Sequence, residues 1–168
     1  MFFTIKNTKT LLFLSMFLLF SCGRGVSLPS EAKTEIDRMS NLIVCEKTDE
    51  FISGLLNKYE FEEKIYPHLP EAKQRGPVPA DDYWMISTSG NKKAIDYFLN
   101  SVKNKKLKYL KAGRAEKKKK SGRDITIYNH IPVYFTDEAG EVIVFENLFE
   151  SVVCTDSFCK VWSLGSDD

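Results

Sequence analysis

Long apolar runs, histidine and cysteine are all scarce in these 168 residues. Only residues 11–20 are continuous enough in apolar character to suggest membrane contact, and Ser15 is their one polar member. At about 1.5 Å per helical residue the run spans roughly 15 Å, half a bilayer's hydrocarbon core, so a polytopic membrane protein is excluded and a spanning helix disfavoured. Two histidines and four cysteines match no common zinc spacing. There is no Gly-x-Ser-x-Gly elbow, no Walker spacing of glycines, no nucleic-acid-binding signature and no internal repeat.

What is present suits one folded domain. Hydrophobic residues make up 43% and charged residues 28%, which fits neither a disordered chain nor a polytopic membrane protein. The net charge of +1 gives no global reason to expect nucleic acid as a partner.

Lys6 and Lys9 precede the apolar run, and no acidic residue occurs before Glu31. A charged start followed by an apolar stretch is the pattern of a secretory signal. The run closes with Leu19-Phe20-Ser21-Cys22-Gly23, a small residue placed directly before a cysteine.

This stretch resembles the lipobox of bacterial lipoproteins. Phe20 departs from the usual small or aliphatic residue, a departure that looser, spirochaete-type lipoboxes tolerate. The resemblance covers only about the first 23 residues. It implies residues 1–21 as a cleaved signal peptide, a diacylglycerol thioether and usually a further acyl chain on Cys22, and residues 22–29 as a lipidated tether. The domain, residues 30–168, is thereby expected outside the cytoplasm, held to a membrane at the periplasmic or surface face, with the outer membrane the favoured site. Two or three acyl chains anchor a protein stably where one does not.

Export makes disulfides permissible. Cys154 and Cys159 bracket four residues rich in turn formers and are flanked by β-branched residues, so a hairpin would set them opposite one another at bridging distance. Metal binding is the rival for this pair. Cys45 closes the apolar string Leu42-Ile43-Val44 and is expected to be a buried thiol; a link from it to one of the C-terminal cysteines is the alternative.

Along the domain, Ile36, Met39 and Ile43 recur at helical spacing after a capping Ser30. Thr48 begins a second helix with Asp49 and Glu50 in its first turn and an apolar face of Phe51, Ile52, Leu55, Leu56 and Tyr59; Pro67 is expected to stop it. Four prolines within residues 67–79 read as a loop, 83–87 as a brief strand, and 91–102 as a third helix. Strand-like residues 125–135 and 142–145 are joined through a turn at 137–140, and the last hairpin carries the cysteine pair and Trp162.

Helices first and an antiparallel meander last predict an α+β domain. The order of elements resembles the cone-shaped folds of the nuclear-transport-factor-2-like group, an analogy that transfers no function.

Charge is concentrated in one place. Residues 103–123 hold eleven Lys or Arg and one acid, a local net charge of +10, whereas residues 124–168 hold one Lys and nine acids. Residues 113–122 are expected to form an exposed loop. Lys117, Lys118, Lys119 and Lys120, with Arg114 and Arg123, are the expected contact with an anionic glycan, lipid or protein partner. A solvated face kept soluble by lysine is the bland reading of the same residues.

Other patterns are weaker. Residues 87–93 carry the single glycine of an ordinary turn, and Ser89 with Lys92, like Ser30 with Lys33, satisfies the degenerate Ser-x-x-Lys pattern without a companion motif. His68 and His130, the carboxylates Glu62, Glu63, Asp81 and Asp82, and the Tyr83-Trp84 pair are each more ordinary as surface or core residues than as catalytic groups. The expected function is therefore a non-enzymatic, membrane-anchored binding or structural module with no cofactor. The alternative is a periplasmic or surface-exposed hydrolase using Ser89 or a histidine. Convergence of His68 or His130 with a carboxylate and a hydroxyl in one cleft would favour the hydrolase, whereas a small packed core with a protruding basic loop would favour the binding module.

Overall fold

The computed structural model describes residues 25–102, 105–121 and 124–165. The expected signal peptide over residues 1–21, Cys22 and Arg123 lie outside the described residues. Helices come first and an antiparallel sheet follows, so the chain is an α+β domain.

Helix α1, Ser30–Val44, buries Ala32, Ile36, Met39 and Ile43 along one stripe. Each large side chain removed from water contributes roughly 1.5–3 kcal/mol, more than the helix gains from propensity alone. Pro29 occupies the N-cap, and the Ser30 hydroxyl bonds the Glu31 carboxylate rather than a backbone amide. At the other end Glu46 adopts φ 58, and the amides of Glu46 and Lys47 return to the carbonyls of Ile43 and Leu42. This is a left-handed helix stop made without glycine.

Helix α2, Thr48–Gly54, is shorter than its sequence suggests. The chain leaves it at Leu55 because the Leu56 amide donates to the Val161 carbonyl on the last strand. The predicted apolar face is split accordingly. Phe51, Leu55 and Leu56 are buried, while Ile52 and Tyr59 are exposed. A short helix α3, Lys58–Glu60, is started by a reciprocal Asn57–Glu60 capping box and runs on through a π turn at Phe61–Ile65. Two short 3-10 turns, Tyr66–His68 and Pro70–Lys73, occupy part of the proline-rich loop.

Helix α4, Ala80–Thr88, replaces the strand expected at 83–87. Asp81 and Asp82 complement its N-terminal dipole, and the hydroxyls of Ser87 and Thr88 bond back to the carbonyls of Tyr83 and Trp84. Helix α5, Asn91–Val102, matches its expected span and buries Ala94 and Phe98.

The strands are β1 (Lys108–Ala112), β2 (Lys117–Ser121), β3 (Ile125–Thr136), β4 (Val142–Cys154) and β5 (Cys159–Leu164). The sheet order is β1-β3-β4-β5, and β2 also pairs with β3. Adjacent residues of one strand serve different cores: Val152 and Val161 the larger, Val153 and Trp162 the smaller. Since neighbouring strand residues point to opposite faces, the sheet is covered on both sides at this end. The larger core includes α1, α2 and α5; the smaller gathers Leu56, Phe61, Ile65 and Leu69 under α4.

Within β3 the alternation changes phase. Ile125 and Ile127 belong to the smaller core, whereas Tyr128, Ile131, Val133 and Phe135 belong to the larger. Odd positions therefore switch faces across His130, which has φ 51. One irregular residue thus lets a single 12-residue strand serve two cores.

Candidate functional site

The basic segment is a sheet edge. β1 pairs with residues 133–136 of β3 and β2 with residues 125–129, so the two strands lie end to end along the same side of β3. The exposed loop expected at 113–122 is corrected to a strand over Lys117–Ser121, closed by the buried Ser121. An edge strand needs only its backbone partner, so four consecutive lysines form one without any apolar alternation. They also bar pairing with another sheet, which an uncharged edge invites.

Strand geometry divides the lysines. Lys119 faces the cleft described below, its Nζ 3.9 Å from a Glu71 carboxylate oxygen. Lys118 lies on the opposite face with its Nζ 5.6 Å from the Tyr128 ring centroid. Lys117 meets Glu116 at 3.2 Å, and Lys111 stands over the Tyr134 ring at 5.2 Å. Arg114 and all four lysines of β2 are exposed. Among the described residues no carboxylate lies within 4.0 Å of the charged groups of Lys108, Lys111, Arg114, Lys118 or Lys120.

A further strand segment docks on this edge from outside. Val26 and Ala115 exchange backbone hydrogen bonds of 2.7 and 3.0 Å. Gly25 packs so closely that a Cβ there would stand 2.7 Å from Arg114 Cβ. Leu28 packs against the larger core. The part of the expected tether from Gly25 onward therefore belongs to the domain.

Beside the edge lies an open cleft of about 510 Å³. Ser87, Ser89 and Gly90, from α4 and the turn after it, form one wall, and Lys119, His130, Glu150, Ser151, Trp162 and Ser163 form the floor and the other wall. Asn91 ties the walls together: its side chain accepts from the Leu164 amide at 2.9 Å and donates to the Trp162 carbonyl at 3.3 Å. Behind the cleft, Phe61 packs against Tyr83, Trp84 and Trp162 with ring centroids 5.4–5.9 Å apart. Burial, reinforced by the Glu71 carboxylate, raises the Tyr83 hydroxyl above the ordinary tyrosine range.

The cleft brings His130, Glu150 and several serines together but assembles no nucleophile. Ser151 and Ser163 bond each other at 2.6 Å, Ser87 bonds the Tyr83 carbonyl, and Ser89 bonds the Ile86 carbonyl. His130 Nδ1 contacts the Asn147 side-chain oxygen at 3.2 Å. Among the described residues no hydrogen bond joins His130 to a hydroxyl or a carboxylate. A histidine acting as base needs the first of these contacts; the Asn147 oxygen can orient the ring as a carboxylate would.

The remaining predicted residues scatter. His68 lies 4.0 Å from Asp124, away from the cleft lining. Asp81 and Glu62 both pair with Lys58, which holds the Asp81 carboxyl below the usual aspartate range, and the two carboxylates lie beside each other around it. Cys154 and Cys159 are bonded to each other across the β4–β5 turn. Cys45 corrects the expectation of a buried thiol: as the C-cap of α1 it is exposed. No group of three or more His, Cys, Asp or Glu that could hold a metal occurs among the described residues. Sequence reasoning missed the cleft, because its lining comes from five separate elements and the residues that carried a signal, Lys119, His130 and those of 87–90, were singled out for unrelated reasons.

No protein family, no curated protein and no solved structure matches the chain. The functional reading therefore rests on the site itself.

Proposed function

We propose that this chain is an exported lipoprotein, anchored through acylated Cys22, that works as a binding module whose contact is the lysine-rich edge of its sheet. One observation carries the reading: a continuous edge presents Lys108, Lys111, Arg114 and four consecutive lysines to solvent, most of them without a paired carboxylate among the described residues. Backbone pairing to β3 holds the residues that carry these charges along one edge, with the lysines of β2 alternating between its two faces, so a polyanion meets an ordered edge rather than a floppy loop. Attraction of this kind is long-ranged at low salt and fades as the Debye length falls below about 8 Å.

The test replaces Lys117, Lys118, Lys119 and Lys120 together with glutamine. Wild-type protein should bind heparin and anionic vesicles at low salt and release them as salt rises. The variant should lose most of that binding while keeping the circular-dichroism spectrum and sedimentation behaviour of the parent. Unchanged binding would reject the edge as the contact.

A second reading, a hydrolase working in the cleft, has the shared lining of His130, Glu150 and the serines in its favour. Engagement of those hydroxyls by other protein groups weighs against it. Turnover of ester or amide substrates that disappears in His130→Gln would bring this reading forward.

A further inference from the structure

We infer that the anionic surface met by the lysine edge is the headgroup layer of the very membrane that holds the anchor. The inference rests on the proposed acylation of Cys22 and adds where the anchor leaves the domain. The two backbone hydrogen bonds between Val26 and Ala115 fix the exit in the middle of the basic edge, between Arg114 and Lys117. The close approach of Gly25 to Arg114 continues that contact one residue nearer the anchor.

Reach then decides the geometry. Cys22 stands three residues before Gly25. A fully extended chain covers at most about 3.6 Å per residue, so the Cα of Cys22 can stand no more than roughly 11 Å from Gly25 along the backbone, with its sulfur one side chain further out. That is comparable to one Debye length, which places the cations flanking the exit inside the field of an anionic leaflet. A longer tether would let the domain turn freely; this one constrains the same edge to face the bilayer. The arrangement joins a lipid anchor to a polybasic patch, the combination that makes membrane attachment firm and orientation fixed.

The opposite edge of the sheet supplies an internal control. β5 lies at the far end of the strand order from β1 and β2, and Lys92 stands next to Asn91, which is bonded to that strand. A domain lying on its basic edge holds Lys92 away from the headgroups.

The experiment uses the full lipidated protein, reconstituted either in vesicles rich in phosphatidylglycerol or in pure phosphatidylcholine vesicles. Surface amines are briefly acetylated and each lysine is read by mass spectrometry, together with the mass of the N-terminal peptide. In phosphatidylglycerol the amines of residues 117–120 should react about five-fold more slowly than in phosphatidylcholine, while Lys92 stays unchanged. High salt should erase the difference. Acylated Cys22 with equal reactivity of the edge lysines in both vesicles would overturn this inference and leave the anchor standing. An unacylated Cys22 would instead remove the anchor, and the inference with it. A slow-down shared by Lys92 would also overturn it, because protection would then not be confined to one edge.

Discussion

Lys160 Nζ contacts both carboxylate oxygens of Glu60 at 2.7 Å, joining β5 to the start of the π turn that carries Phe61. Burial by itself would raise the Glu60 carboxyl, but the hydrogen bonds from Lys160 and the Asn57 amide outweigh it and hold the group below the usual glutamate range. A carboxyl lowered on folding contributes stability above its unfolded value, about 4.3, and loses it as pH falls through the folded value. Glu60→Gln should therefore cost on the order of 2 kcal/mol at pH 7 and shrink the acid-induced loss below pH ~4. Urea unfolding at pH 7 and pH 3.5 checks both, and equal destabilisation at the two pH values would contradict the assignment.

His130 holds φ 51 at the point where β3 changes the core it serves. A residue with a Cβ carries about 1–2 kcal/mol of strain there, and a β-branched one carries more than glycine by at least that amount. His130→Val should be less stable than His130→Gly by about 1–2 kcal/mol, the reverse of what strand propensity predicts. Comparison of urea midpoints decides it. If valine proves the more stable, the phase change does not depend on a left-handed residue.

Removing the bond between Cys154 and Cys159 should leave the fold in place. The two residues are five apart, and on the chain-entropy model so small a ring contributes only about 2 kcal/mol. Val152 and Val161 remain buried across from one another, and the Thr155 amide and the Phe158 carbonyl still close the turn. The double Cys→Ser variant is expected to keep a native circular-dichroism spectrum with a stability lower by about that amount. Global unfolding of the variant at room temperature would show that the bridge does more than hold register.

Local periodicity made part of this fold legible. The spacing of Ile36, Met39 and Ile43 and of Ile95, Phe98 and Val102 predicts α1 and α5, and the turn chemistry around Cys154 and Cys159 predicts the last hairpin. What stayed hidden was decided by distant partners. Residues 83–86, Tyr-Trp-Met-Ile, have strand-like composition, yet packing of Tyr83 and Trp84 on Phe61 makes them helical. The end of α2 is set by Val161, about a hundred residues away, and β2 exists only because β3 offers its edge. The candidate site followed the same division. Its charge was plain in the sequence, but its form as two edge strands laid end to end and the docking of Val26 beside Arg114 were not, because each depends on a backbone partner that composition does not announce.

Cys45 tests how well the left-handed stop of α1 is placed. As the C-cap it stands exposed, while Ile43, two residues earlier, is buried. A thiol in that position should react with a maleimide in native buffer at a rate close to that in urea. Cys45→Ser should change stability by less than about 0.5 kcal/mol, as surface substitutions do. The Cys154 and Cys159 sulfurs, being bonded, should not label unless reduced. A Cys45 thiol that reacts only after unfolding would put it in the larger core beside Ile43. That outcome would mean α1 continues past Val44 instead of turning at Glu46, and the start of α2 would have to shift with it.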